Sequence, residues 1–215
     1  MKTKIEIWFD FVCPFCYLGE RKFEMALEAF EGKEDVEISF KSFQLNPSKE
    51  VVPMVGKDIH QIIADKYHMS YDQAKANNDR IVASAKEVGL NYRFDILKPG
   101  NTEMAHIIAH YAKEVGKDFD LINRFYAAYF EEGADINDEE TLLELAAEVS
   151  LDRDTLKGRL ADPALLAAVK ADQKQAQTLG INGVPYFLIN GKHTISGAQS
   201  MDHFLKVLKR AASDI

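Results

Sequence analysis

The chain has 215 residues, 47% of them hydrophobic and 28% charged, and a formal net charge of −8 from 34 acidic against 26 basic side chains. A chain of that length buries a sizeable core without disulfide staples, and its composition is that of a globular protein, not a disordered one. The acidic balance argues against a nucleic-acid binder and against a membrane-surface protein, since both need a basic footprint.

The start, MKTKIEIWFDF, holds no apolar stretch of signal-peptide length and no small-residue cleavage site. No window approaches the roughly 20 apolar residues of a membrane span. Two cysteines in the whole chain do not make a secreted disulfide scaffold. The expected location is the cytoplasm.

In chain order, IEIWFDFV (5–12) is rich in β-branched and aromatic residues and too short for a helix, which predicts a buried strand. From Pro14 the period changes, and Phe15, Leu18, Lys22, Met25 and Phe30 suit a helix that ends near Gly32. DVEISFKSFQL (35–45) alternates Val36, Ile38 and Phe40 against Glu37, Ser39 and Lys41, the pattern of a strand with one buried face. A long helical tract follows. Ser70 and Gln73 form a capping box for a helix running to Gly89. Asn101 or Thr102 caps the next, which stops at Gly116. Asp118 and Asp138 open two more, and Asp162-Pro163 opens another that closes at Gly180. Strand signal then returns in VPYFLIN (184–190), the two-residue turn Gly191-Lys192 and HTIS (193–196), a β-hairpin. Ser200 caps a last helix. The order is βαβ, a helical block, then ββα. The two α/β segments, 1–54 and 181–215, therefore complete one domain around a helical insertion spanning 55–180.

Both cysteines lie in WFDFVCPFCYLG (8–19), as Cys13 and Cys16. A thiol reacts as thiolate and needs local stabilisation of the anion. Pro14 suits the first turn of a helix, because its missing N–H would be unpaired there anyway. That places Cys13 at the helix N-terminus, where free N–H groups and the macrodipole favour negative charge. Cys16, one turn on, is expected to point inward. The roles are then unequal, with Cys13 the exposed attacking thiolate and Cys16 the buried thiol that resolves a mixed disulfide. Two other readings stay open at this level. A zinc site needs four ligands, and the one H-x3–5-H pair, His106 and His110, sits on a helix face needed for packing. Two inert core cysteines are the third.

Gly183-Val184-Pro185 stands directly before the returning strand. Pro185 is either a plain strand opener or the site of a cis X-Pro bond in a tight loop. In the second case the Val184 backbone would turn outward to pair with an extended substrate segment, and the proline would crowd a metal away from the sulfurs.

Strand, C-P-x-C helix, strand, helical insertion, then G-V-P before a hairpin and a final helix resembles the thioredoxin fold of the DsbA-like superfamily. Within it, the chain resembles the FrnE-type cytoplasmic branch. The resemblance is carried by Asp10 through Gly19, Phe43-Gln44-Leu45-Asn46-Pro47, Asn101-Thr102 with Ala105-His106, Gly183-Val184-Pro185 and Ile195-Ser196-Gly197-Ala198-Gln199. It implies thiol–disulfide oxidoreductase activity with Cys13, Pro14, Phe15 and Cys16 set against Pro185. It further implies a protein or small-molecule thiol or disulfide as substrate, glutathione as a candidate co-substrate, no metal or organic cofactor, and a monomer or homodimer.

Two departures from the better-known periplasmic relatives matter. Phe15 stands where those carry a protonatable histidine, so a less oxidising disulfide is expected. The buried acid that many thioredoxin-like proteins keep six residues before the first cysteine is here Ile7. Asp10 is the candidate substitute, though a loop or cap hydrogen bond would equally explain it, and His106 is the candidate to approach the dithiol from the insertion. The aromatic group Phe125, Tyr126, Tyr129 and Phe130 is expected to be core. Two rival functions attach to the same scaffold. One is a glutathione-dependent transferase or isomerase of the kappa or hydroxychromene-carboxylate isomerase type, which the second cysteine disfavours. The other is a redox-sensing, chaperone-like binding module.

Overall fold

The structure, a computed structural model, describes residues 2–47 and 58–214. The chain divides into two compact units, one of Met1–Leu45 with Ala167–Ile215 and one of Asn46–Leu166. The boundary expected between residues 54 and 55 lies outside the described residues.

The first unit holds β1 (Thr3–Phe9), α1 (Pro14–Glu28) and β2 (Val36–Ser42). In the second unit come α2 (Ile59–Tyr67), α3 (Tyr71–Glu87), α4 (Glu103–Glu114), α5 (Asp118–Ala127), α6 (Glu139–Glu148) and α7 (Arg153–Arg159). The helix α8 (Pro163–Thr178) leads back into the first unit, which ends with β3 (Tyr186–Ile189), β4 (His193–Ser196) and α9 (Met201–Ser213). The sheet has the order β2-β1-β3-β4. β1 and β2 are parallel, and β3 runs antiparallel to both its neighbours. This is the thioredoxin fold with a helical insertion that the element order predicts.

Alternation along the strands builds two cores in this unit. Ile5, Ile7 and Phe9 are buried, as are Phe187 and Ile189. Phe187 meets Phe23 of α1 at 5.4 Å between ring centroids and Phe204 of α9 at 4.9 Å. Trp8, one residue out of phase, packs with Ala176 and Ile181, flanked by Phe43, Val184, Tyr186 and Leu188. The helix α8 is tied to the sheet by polar contacts too. Asp172 Oδ2 accepts from the Ser42 N–H at 3.0 Å, Asp172 Oδ1 lies 3.1 Å from Lys41 Nζ, and the Trp8 indole donates to the Asp172 carbonyl at 3.2 Å.

The first strand is shorter than its apolar run. Pairing with β2 ends at Phe9 opposite Ser42, and pairing with β3 ends at Trp8 opposite Tyr186. Beyond Phe9 no strand is there to accept the ladder, so residues 10–13 turn, with the Cys13 N–H on the Asp10 carbonyl at 3.1 Å. That turn aims the cysteines.

Among its described residues the second unit contains no strand. Its core includes Phe125, Tyr126, Tyr129 and Phe130, all fully or nearly fully buried. Both bonds of the Ser70–Gln73 capping box are made. Asn101 Oδ1 accepts from the Glu103 N–H at 2.8 Å, while Thr102 sits at the cap without a side-chain bond. The sequence reading does not contain α2 or α7. Helix α7 buries a single side chain, Leu156, and has no apolar stripe, whereas α2 carries Ile59, Ile62 and Ile63 at helical spacing beside buried Ala64, a signal that points to it. The caps Asp58 and Asp152 are signals for both.

Candidate active site

Cys13 occupies the N-cap position of α1 in extended backbone, φ −89° and ψ 110°, with Pro14 as the first helical residue. Its side chain makes no cap bond. The Cys16 N–H closes the first turn on the Cys13 carbonyl at 2.9 Å. Both cysteines are free thiols. Cys13 Sγ donates to the Val184 carbonyl at 3.5 Å, so the G-V-P segment faces the first sulfur directly. The Val184–Pro185 peptide bond is cis. Val184 is half-buried, Pro185 buried and Gly183 exposed.

The two thiols differ in their surroundings. Burial pushes the Cys16 thiol well above its ordinary range, and the adjacent Cys13 sulfur adds to this by holding the proton and by its charge. The Asp10 backbone N–H works the other way, stabilising a Cys16 anion, while the Asp10 carboxylate opposes that anion. Cys13 itself is more enclosed than its position in the sequence suggests. It is 4% exposed, against the open attacking thiolate expected from a helix start. The turn at residues 10–13 pulls it back, and the Val184 carbonyl caps its sulfur. Phe15, between the two cysteines, is 46% exposed.

Asp10 lies just past β1 and is completely buried. Its Oδ2 accepts from the Leu45 N–H at 2.7 Å. Asp10, Cys13, Pro14, Phe15, Cys16, Val184 and Pro185 thus all belong to the first unit. His106 belongs to the second, on α4, and is fully buried there. Among the described residues, no group of three or more His, Cys, Asp or Glu side chains is placed to hold a metal ion.

Two supporting features have no counterpart in the sequence reading. One is Leu45 as the fixed partner of Asp10. The other is Gly19, whose missing side chain lets Pro185 and Ala198 approach α1 closely. A glycine inside a helical pattern is the signal that points to the second.

Residues 4–209 match the DSBA-like thioredoxin domain. The chain belongs to the DsbA-like thioredoxin-domain family. Over 210 residues it is 31% identical to the uncharacterized protein YwbO of Bacillus subtilis, covering 97% of this chain and 96% of that one. The crystal structure of the probable DsbA oxidoreductase SCO1869 from Streptomyces coelicolor superposes with a TM-score of 0.92 at 37% identity, covering 99% of this chain and 91% of that one. The cytosolic disulfide reductase DsbM from Pseudomonas aeruginosa, also solved with GSH, shares the fold, with a TM-score of 0.71 at 16% identity over 99% of this chain and 100% of that one. Membership places the chain among thiol–disulfide oxidoreductases, isomerases included, and its two cysteines lie together as that chemistry requires. Among the described residues, no helix is long and apolar enough to cross a membrane.

Proposed function

We propose that this DsbA-like protein is a cytoplasmic dithiol–disulfide oxidoreductase of the FrnE type, working through the C-P-F-C pair. The observation that carries the reading is the inequality of the two thiols. Cys13 stands at the start of α1 against the Val184 carbonyl, and Cys16 lies one turn inside, held protonated by burial. In the reducing direction the Cys13 thiolate attacks one sulfur of a substrate disulfide. The other substrate sulfur leaves as a thiolate and takes a proton. A mixed disulfide remains on Cys13. Cys16 then gives up its proton and attacks the Cys13 sulfur, releasing the second substrate thiol and leaving Cys13–Cys16 oxidised. Two electrons pass to the substrate, and the oxidising direction is the reverse.

The other residues take roles around that exchange. The macrodipole of α1 favours the Cys13 anion as it forms. The Asp10 carboxylate, whose charge acts on the Cys16 thiol, receives the proton that Cys16 releases. Val184 offers its backbone to an extended substrate segment, and exposed Phe15 offers an apolar rim. Glutathione is the small thiol proposed to regenerate the dithiol, consistent with the GSH found with DsbM. No step is assigned to His106.

The experiment is a pair of single substitutions. Cys13→Ser is expected to abolish reduction of a model disulfide, and Cys16→Ser to trap mixed disulfides on Cys13, visible by mass spectrometry. Undiminished turnover in Cys13→Ser would sink the mechanism.

A further inference from the structure

Gly19 lies in the interior of α1, three residues after Cys16 and on the same helix face. Glycine is a poor choice inside a helix, so a buried one there calls for a packing reason. The surroundings supply it. A Cβ on Gly19 would sit 2.9 Å from Pro185 Cγ, 3.2 Å from Ala198 Cα and 3.4 Å from Ala198 Cβ. Neither of the two nearest atoms can swing aside, since one belongs to a closed ring and the other to the backbone. The two loops are themselves joined, because the Gly197 N–H donates to the Pro185 carbonyl at 2.8 Å. Gly197 reaches that position with φ +78°, a conformation that L side chains rarely adopt.

Three segments therefore meet at one point: the α1 face below Cys16, the Val184–Pro185 segment and the Gly197–Ala198 turn. One residue before Pro185, the Val184 carbonyl lies 3.5 Å from Cys13 Sγ. We infer that Gly19, together with the Gly197–Ala198 turn, is a positioning element of the dithiol site, setting how closely the Val184 backbone approaches the Cys13 sulfur. A side chain at position 19 pushes Pro185 and Ala198 outward. The Val184 carbonyl then leaves the sulfur, and the strand offered to substrate shifts with it. The inference rests on the dithiol reading for its consequence in turnover, and on geometry alone for its consequence at the sulfur.

The test uses the full reduced chain carrying Gly19→Ala or, separately, Gly197→Ala. Two quantities are measured: the alkylation rates of Cys13 and of Cys16 by iodoacetamide, resolved by peptide mass spectrometry, and kcat and KM for a model disulfide. Each variant is expected to alkylate faster at Cys13 with Cys16 unchanged, and to lose about tenfold in kcat/KM, the scale of a sub-ångström misplacement. Unchanged rates at both cysteines overturn the inference. So does an equal acceleration at both, which is general loosening. Should Gly19→Ala fail to fold, Gly197→Ala decides by the same criteria. If the unaltered protein shows no disulfide turnover, the dithiol reading fails, while the alkylation pattern still decides the role of Gly19.

Discussion

Asp10 Oδ2 accepts the Leu45 N–H at 2.7 Å, so the carboxylate whose charge opposes a Cys16 anion also fixes the segment that leaves β2. Two substitutions separate those jobs. Asp10→Asn keeps an oxygen for Leu45 and removes the proton-accepting charge. It is expected to leave stability within about 1 kcal/mol while slowing resolution of a Cys13 mixed disulfide by about a hundredfold. Asp10→Ala also strands a backbone N–H and is expected to cost about 1–3 kcal/mol in denaturant unfolding. Wild-type resolution by Asp10→Asn would reduce Asp10 to a loop clamp.

The raised Cys16 thiol carries a pH signature in the reduced protein. Below the unfolded thiol value of about 8.5, Cys16 is protonated in both states and folding loses nothing. Above it the unfolded chain releases the proton while the folded chain still holds it. Fewer protons are then bound by the unfolded state, and stability falls as pH climbs through the folded value, by up to about 1.4 kcal/mol per pH unit. Thermal midpoints of reduced wild type and Cys16→Ala, compared from neutral to alkaline pH, are expected to converge as pH rises. Parallel curves would contradict the burial argument.

How much of this was legible in the sequence depends on whether the cause was local. The C-P-x-C start of α1 and the Ser70–Gln73 box are local devices, and each stands where the pattern predicts. The hairpin is there too, but β3 runs only Tyr186–Ile189 and the turn takes in Asn190 with Gly191 and Lys192, since Ile189 pairs with His193. The end of β1 at Phe9 was not legible, because it is set by where β2 and β3 stop pairing and not by the apolarity of residues 10–12. The enclosure of Cys13 was hidden for the same kind of reason. A helix start advertises exposure, and the Val184 carbonyl that covers the sulfur comes from 171 residues away. Asp10 reads as a strand or loop residue until Leu45 is folded onto it. The short helix α7 escapes because it buries one side chain, while α2 was legible in Ile59, Ile62 and Ile63.

Phe15 is 46% exposed between the cysteines and offers no charge to a thiolate. A reduced form without that stabilisation holds its electrons less tightly, so the wild-type couple is expected nearer about −270 mV than about −120 mV. Phe15→His adds a cation beside Cys13 when protonated, which favours the reduced form and raises the potential. A rise of about 30 mV, equivalent to about 1.4 kcal/mol, is expected on equilibration with glutathione redox buffers at pH 6. No rise, or a fall, would show that position 15 does not tune this couple.

The last prediction concerns the attachment of α8 to the sheet. Asp172 is 5% exposed, accepts from the Ser42 N–H and pairs with Lys41 Nζ, which also lies 3.7 Å from Glu6. Asp172→Asn keeps an acceptor for Ser42 and loses only the charge. Since Lys41 is partly exposed and retains Glu6, the expected cost is about 1 kcal/mol. Asp172→Ala additionally leaves the Ser42 N–H buried without that acceptor, and the expected cost is about 2–4 kcal/mol. Trp8, the single tryptophan, reports on the same contact, because its indole donates to the Asp172 carbonyl and packs on Ala176. Unfolding followed by Trp8 fluorescence is therefore expected to show the ordering wild type, Asp172→Asn, Asp172→Ala. Equal midpoints for the two variants would mean that the charge, and not the Ser42 hydrogen bond, holds α8 in place.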